Sequence, residues 1–258
     1  LGLVTLVIGV LDTADWGGAR PEDIREVCLS AAGCFAPAIA ERFVEPIRVQ
    51  PSSDILPRAR FKRLDTGQIA IDVAGIQGRL WARLSYQFGH EFLHVLANFR
   101  PPVAKPTAWI EESLCETASL FALRAMAIRW RTAPPYRGLE DNADHLAGYA
   151  NERIERARLP AGATFAEWLG GKLPLLTEEY ERREDNTVIA SHLLPLFEQA
   201  PEMWRAVRYL NQWSTLEDVS FDTYFSTWRS VTPVQHHPAV DRIEQRLIGS
   251  RESPRGGA

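Results

Sequence analysis

The chain has 258 residues, enough to bury a substantial core as one large domain or as two small lobes around a cleft. Its 29 Lys and Arg against 33 Asp and Glu give a net charge of −4. No basic run or stripe stands out, which argues against nucleic acid as a partner. Three scattered cysteines, Cys28, Cys34 and Cys115, exclude a disulfide framework, and with no C-x-x-C pair they support neither a zinc ribbon nor a thioredoxin-like site. A Cys28–Cys34 bridge stays open beside the reading as buried free thiols, and the eight Trp read as packing first.

The apolar run Leu1–Leu11 is too short to span a bilayer by itself. It fits the trimmed end of a signal or anchor segment, which favours an exported or periplasmic location over a cytoplasmic one, or else a first strand. Asp12–Gly18 is turn-rich, and Pro21 opens a helical pattern to Phe43 with acidic residues in its first turn. Ile47–Val49 predicts a short strand. Two strand-like runs between Arg58 and Ala74 flank the turn Asp65-Thr66-Gly67, and the second alternates Ile69, Ile71 and Val73 against Ala70 and Asp72, as a half-buried strand does.

From about Arg79 the period changes to that of a helix, which Arg100-Pro101-Pro102 stops. Lys105-Pro106-Thr107 then starts a second helix, running until Pro134-Pro135. Further helical stretches are predicted over about 141–158, 163–170, 186–199, 201–213 and 221–229. The expectation is one α+β domain: a strand-containing part over 1–78, a helix pair over 79–132, a helical part over 133–246 and a loose tail over 247–258. His236-His237-Pro238 reads as an exposed turn.

Within the first long helix, His90-Glu91-Phe92-Leu93-His94 matches H-E-x-x-H. Residues i and i+4 share a helix face, so both imidazoles can reach one ion, and Glu91 is placed to take a proton from a metal-bound water. A catalytic zinc wants three protein ligands and one open position. A third His is not available at metzincin spacing, because those positions hold Ala97 and Arg100. The next helix offers Trp109-Ile110-Glu111-Glu112-Ser113-Leu114-Cys115-Glu116 instead.

HEFLH followed by WIEESLCE resembles the gluzincins, the thermolysin-like and aminopeptidase-N-like metallopeptidases of the peptidase MA-like superfamily. The resemblance is specific over about 85–120. It implies a zincin-like fold, Glu112 as the third zinc ligand, and Glu116 bonded to His90 to orient that ring. Ser113, Cys115 and a Glu rather than an Asp at position 116 are departures from the family pattern. It also implies a Tyr or His donor for the oxyanion from the helical half. Tyr136, His145, Tyr149, Tyr180 and His192 are the candidates, and Tyr180 lies at about the family's interval. By the same resemblance, the strand Gln68–Ile76 forms a sheet edge on which an extended peptide would pair.

Glu111 reads as a solvated neighbour of the ligand, and Arg182-Arg183 and Arg129–Arg131 as solvated or salt-bridged charges. The expected function is a zinc-dependent metallopeptidase acting on a peptide or protein. Gly75-Ile76-Gln77-Gly78 lacks the amine-binding pattern of aminopeptidases, which leans the reading towards an endopeptidase. A catalytically silent zinc-binding domain and a zinc hydrolase of another substrate are the alternatives. The His₂Glu donor set suits zinc, and cobalt or manganese could occupy it in vitro.

Overall fold

A computed structural model describes residues 6–42, 46–54, 56–100, 105–213 and 220–249. A small mixed sheet occupies the N-terminal part, and helices make up the rest. Its strands are β1 (Ile8–Val10), β2 (Ile47–Pro51), β3 (Arg58–Ala59) and β4 (Ile69–Val73), in spatial order β1-β2-β4-β3. β1, β2 and β4 run parallel, and β3 is an antiparallel edge.

Two expectations about this sheet are corrected. β4 is an interior strand between β2 and β3, so the edge on that side is β3, only two residues long. β4 is also buried at all five residues rather than on alternate ones. Asp72 accepts from Gln50 Nε2 at 2.9 Å and from Arg60 Nε at 2.7 Å, which lets the strand carry a carboxylate into the interior.

The helical run after Pro21 divides into α1 (Pro21–Ala32), a 3₁₀ turn (Gly33–Phe35) and α2 (Ala36–Arg42). Pro37 is the local cause, because its ring clashes with the carbonyl four residues back and it offers no N–H. α3 (Trp81–Leu96) ends before the expected Pro pair. Asn98 and Phe99 take positive φ values of 72° and 49°, and the Asn98 amide donates to the carbonyl of Arg208 at 3.1 Å and to that of Leu210.

α4 (Ala108–Trp130) is buried on almost every face, packed by α1, α3, α5 (Asn142–Arg156) and α7 (Arg183–Gln199). α6 (Phe165–Glu178) begins at a capping box of Thr164 and Glu167 and runs past the expected end at residue 170. α8 (Trp204–Val207) and α9 (Phe221–Val231) follow, and of the stretch expected helical over 201–213 only Pro201–Val207 is so. α10 (His237–Ile248) replaces two expectations, the exposed turn at His236-His237-Pro238 and a loose tail from residue 247. Pro238 sits in its first turn, His236 is buried, and Leu247 is buried with Val240 and Ile243 at helical spacing. Residues 250–258, and Leu1–Thr5 of the apolar N-terminal run, lie outside the described residues.

The core is continuous from the sheet to the C-terminal helices. Trp109, Trp130, Trp204 and Trp228 are fully buried in it, with Trp204 stacked on Phe197 at 3.9 Å. All three cysteines are free. No helix among the described residues is long and apolar enough to cross a membrane.

Candidate metal centre

α4 buries more polar groups than a core helix ordinarily can: Glu111, Glu112, Ser113, Glu116, Thr117 and Ser119. Such a load is tolerated only where partners are supplied. The partners of its carboxylates lie first of all on α3. The two helices approach closely at Gly89, where an added Cβ would stand 3.3 Å from Ser119 Cα. The residue before His90 therefore has no side chain, and α3 and α4 can meet with the imidazoles against the carboxylates.

His90 Nε2 lies 3.3 Å from Glu112 Oε2, and His94 Nε2 lies 3.5 Å from Glu112 Oε1. The opposite ring nitrogens face two other carboxylates of α4. His94 Nδ1 donates to Glu111 Oε1 at 2.8 Å, and His90 Nδ1 is 3.5 Å from Glu116 Oε2. Both imidazoles thus turn Nε2 to Glu112 and Nδ1 to an outer acid. That is the division of labour expected of metal-ligating histidines, whose second nitrogen is normally tied to an oxygen.

The fit to a metal can be tested on these distances. Zinc bonds to such donors are about 2.0–2.1 Å, so a tetrahedral set holds its donor atoms about 3.3–3.4 Å apart. His90 Nε2 and His94 Nε2 stand 3.3 and 3.5 Å from Oε2 and Oε1 of Glu112, so two imidazoles and one carboxylate converge on a space of that scale. The charges agree. Burial opposes protonation of His90, but the facing carboxylates of Glu112 and Glu116 and the charge of Glu91 outweigh it and raise its pKa to about 10. His94, also penalised by burial, is raised to about 9 by Glu112 and Glu111. Glu112 and Glu116, though burial favours their neutral forms, are held below the usual carboxylate range by these imidazoles. The site demands positive charge.

A sulfur donor stands within reach. Cys115 Sγ and one nitrogen from each of His90 and His94 lie within 4.8 Å of one another. Burial, and then Glu112, Glu111, Glu91 and Glu116, push this thiol well above its ordinary pKa and so keep it protonated. Glu112, held ionised, offers an oxygen with no proton to remove, and Cys115 offers a sulfur that a bound cation would have to deprotonate.

Glu91 is buried beside the centre, and its Oε2 accepts the Ala59 N–H of edge strand β3 at 2.6 Å. Phe61, just past that strand, sets its ring 5.9 Å from the His94 ring, edge-on, and is 37% exposed. Neither contact was readable in the sequence, because a two-residue strand has no periodicity to detect.

Tyr180 lies in the loop between α6 and α7, beside an open hollow of about 400 Å³ lined by Glu178, Glu179, Tyr180, Glu181 and Arg182. Burial raises its pKa first, then Glu181, with further contributions from Glu112 and Glu111. The loop is tied to α4: Ser113 Oγ donates to Asn186 Oδ1 at 3.1 Å, and Asn186 Nδ2 donates to the Tyr180 carbonyl at 2.7 Å. Ser113 thus has a physical task here.

The other oxyanion candidates point elsewhere. Tyr136 lies beside Asp23, which raises its pKa after burial, His192 stacks on Phe165 at 4.3 Å, Tyr149 accepts from Arg153, and His145 is exposed on α5. Glu111 is corrected from a solvated residue to a buried one, 1% exposed, whose Oε2 accepts from Asn211 at 2.8 Å. Its partner lies a hundred positions away in sequence. Arg182 is salt-bridged to Glu179 and Asp185, and Arg131 to Asp144, while Arg129 bonds to Ser30 Oγ at 2.7 Å.

No family model, no curated protein and no solved structure matches the chain.

Proposed function

We propose that this chain is a zinc-dependent hydrolase of gluzincin type that cleaves peptide bonds, with His90, His94 and Glu112 as ligands and Glu91 as general base. The observation that carries this reading is the convergence of both Nε2 atoms on the Glu112 carboxylate, at 3.3 and 3.5 Å, with Glu91 buried beside them. The mixed sheet with an antiparallel edge strand above the H-E-x-x-H helix is consistent with a zincin-like fold. Bound zinc would supply Lewis-acid activation of a water and of the substrate carbonyl.

The chain's own residues account for the remainder. The Ala59 N–H fixes one oxygen of Glu91, leaving the other to take the proton of the attacking water and pass it to the leaving amine. Tyr180 keeps its phenol proton, since burial and nearby carboxylates raise its pKa, and so remains a donor for the charge that develops on the carbonyl oxygen. The exposed face of Phe61 gives a substrate side chain an apolar surface beside His94. A catalytically silent zinc-binding domain is the competing reading, and Glu91 separates the two.

The test is the metal content of purified wild type, Glu112→Ala and Cys115→Ala, followed by a peptide-library cleavage assay with Glu91→Gln. We expect about one zinc per chain in wild type and Cys115→Ala and its loss in Glu112→Ala, with cleavage abolished in zinc-loaded Glu91→Gln. Zinc lost in Cys115→Ala but kept in Glu112→Ala would assign the third bond to sulfur. Zinc without cleavage in the wild type would favour the silent domain.

A further inference from the structure

Glu116 is 1% exposed, and its two oxygens face different groups. Oε2 stands 3.5 Å from His90 Nδ1, and among the described residues neither of these atoms has a hydrogen-bond partner of its own. Each can be satisfied only by the other or by a group drawn in from solvent. Oε1 accepts from the Tyr86 hydroxyl and, at 2.8 Å, from the Thr187 hydroxyl. A glutamate has one more rotatable bond than an aspartate, so its carboxylate can swing away from His90 unless something holds it.

The geometry points to Tyr86 and Thr187 as positioning residues that fix Glu116 Oε1, aim Oε2 at His90 Nδ1 and so set the orientation of the first metal-ligating imidazole. This inference rests on the zinc reading above and extends it outward from the ligands. Tyr86 lies one helical turn before His90 on α3 and Thr187 lies on α7, so Glu116 of α4 is clamped between two helices that its own backbone does not control.

Tyr86 is itself held. Its ring meets that of Tyr149 edge-on at 5.6 Å, and the Arg153 guanidinium lies 4.5 Å over it while donating to the Tyr149 hydroxyl at 2.8 Å. The anchor therefore extends from His90 through Glu116 and Tyr86 to α5, where Arg153 is half-buried. Thr187 carries the smaller share. Its single hydroxyl proton also has the Arg183 carbonyl within 2.8 Å, although the charged acceptor makes the stronger bond.

A purely structural role would predict that losing either hydroxyl weakens the fold and leaves the metal environment as it was. The deciding experiment compares wild type with Tyr86→Phe, Thr187→Val and Thr187→Ser, all full-length. Three quantities are measured: melting temperature without metal, zinc affinity by chelator competition, and the visible spectrum of the cobalt-loaded protein. We expect Tyr86→Phe to lose about tenfold in zinc affinity and to shift the cobalt bands. Thr187→Val should lose less, and Thr187→Ser should restore wild-type affinity. Unchanged affinity and bands in Tyr86→Phe and Thr187→Val, with only the melting temperature lowered, would overturn the inference and leave the zinc site standing. A wild type that takes up neither metal would overturn both. Should Tyr86→Phe fail to fold, the Thr187 pair decides, equal affinity in Val and Ser variants counting against the clamp.

Discussion

The two sides of the centre use the same device built from different material. On the His94 side, Glu111 takes Nδ1 at 2.8 Å and is held by Asn211, a residue with φ of 58° in the segment after α8. That segment also closes the end of α3, with the Asn211 amide 3.3 Å from the Ala97 carbonyl. On the His90 side, Glu116 stands farther off, at 3.5 Å, and is held by Tyr86 and Thr187 from α3 and α7. α4 places all three carboxylates, but the outer two take their orientation from separate parts of the chain. The lesson is that one imidazole depends on a loop after α8 and the other on the helical core, so the two supports can fail independently.

That independence can be broken by a double substitution. Glu111→Gln and Glu116→Gln should each lower zinc affinity about 10- to 100-fold, the usual cost of an outer-shell partner. If the supports are separate, the two free-energy losses should add to within about 0.5 kcal/mol in the double variant. A double variant no worse than the weaker single one would mean that both acids act through one shared rearrangement.

The comparison sharpens with pH. Without metal, His90 is raised to about 10 and His94 to about 9, the carboxylates prevailing over burial. A histidine whose folded pKa exceeds its unfolded value of about 6.5 stabilises the fold fully below that pH. The contribution is lost as pH rises through the folded value. The metal-free melting temperature should therefore fall between about pH 6.5 and 10, mostly through His94 first and His90 later. Zinc must displace the same protons, so the rise in melting temperature on adding zinc should grow across that window. A flat metal-free profile would mean that the acids do not hold imidazolium there.

Where α3 meets α4, both sides share one vulnerability. Gly89→Val would place a Cβ 3.3 Å from Ser119 Cα and add two methyl groups beyond it. We expect a loss of about 1–3 kcal/mol in urea unfolding, together with weaker zinc binding. Full stability would show that the helices can separate without cost.

What was legible in the sequence follows from the range of the interactions. α3 and α4 showed themselves by their period and their proline boundaries, and His90, Glu91 and His94 by i and i+4 geometry, which is local. Glu112 was reached only through a resemblance. The burial of Glu111 is not legible, because nothing near it in sequence announces Asn211. β3 was too short for its edge position to be read, so that role fell to the longer β4. α10 is obscured for another reason: paired histidines before a proline look like a turn, although Ala239, Val240, Ile243 and Leu247 keep helical spacing and are buried.

The smallest expected effect concerns the rim rather than the ligands. Asn186 joins Ser113, next to Glu112, to the backbone of Tyr180, so it ties the α6–α7 loop to α4 without touching an imidazole. Asn186→Ala should leave zinc affinity unchanged and lower turnover of a peptide substrate only a fewfold, on the order of 1 kcal/mol for a buried hydrogen-bond partner. Tyr180→Phe should give a larger drop, again with zinc retained, because it removes the donor rather than its tether. A zinc-loaded Tyr180→Phe with wild-type turnover would remove this tyrosine from the mechanism. The Asn186 contacts would then serve α4 and α7 packing alone, and the search for an oxyanion donor would move to the Arg183 guanidinium, whose charge lowers the Glu112 pKa.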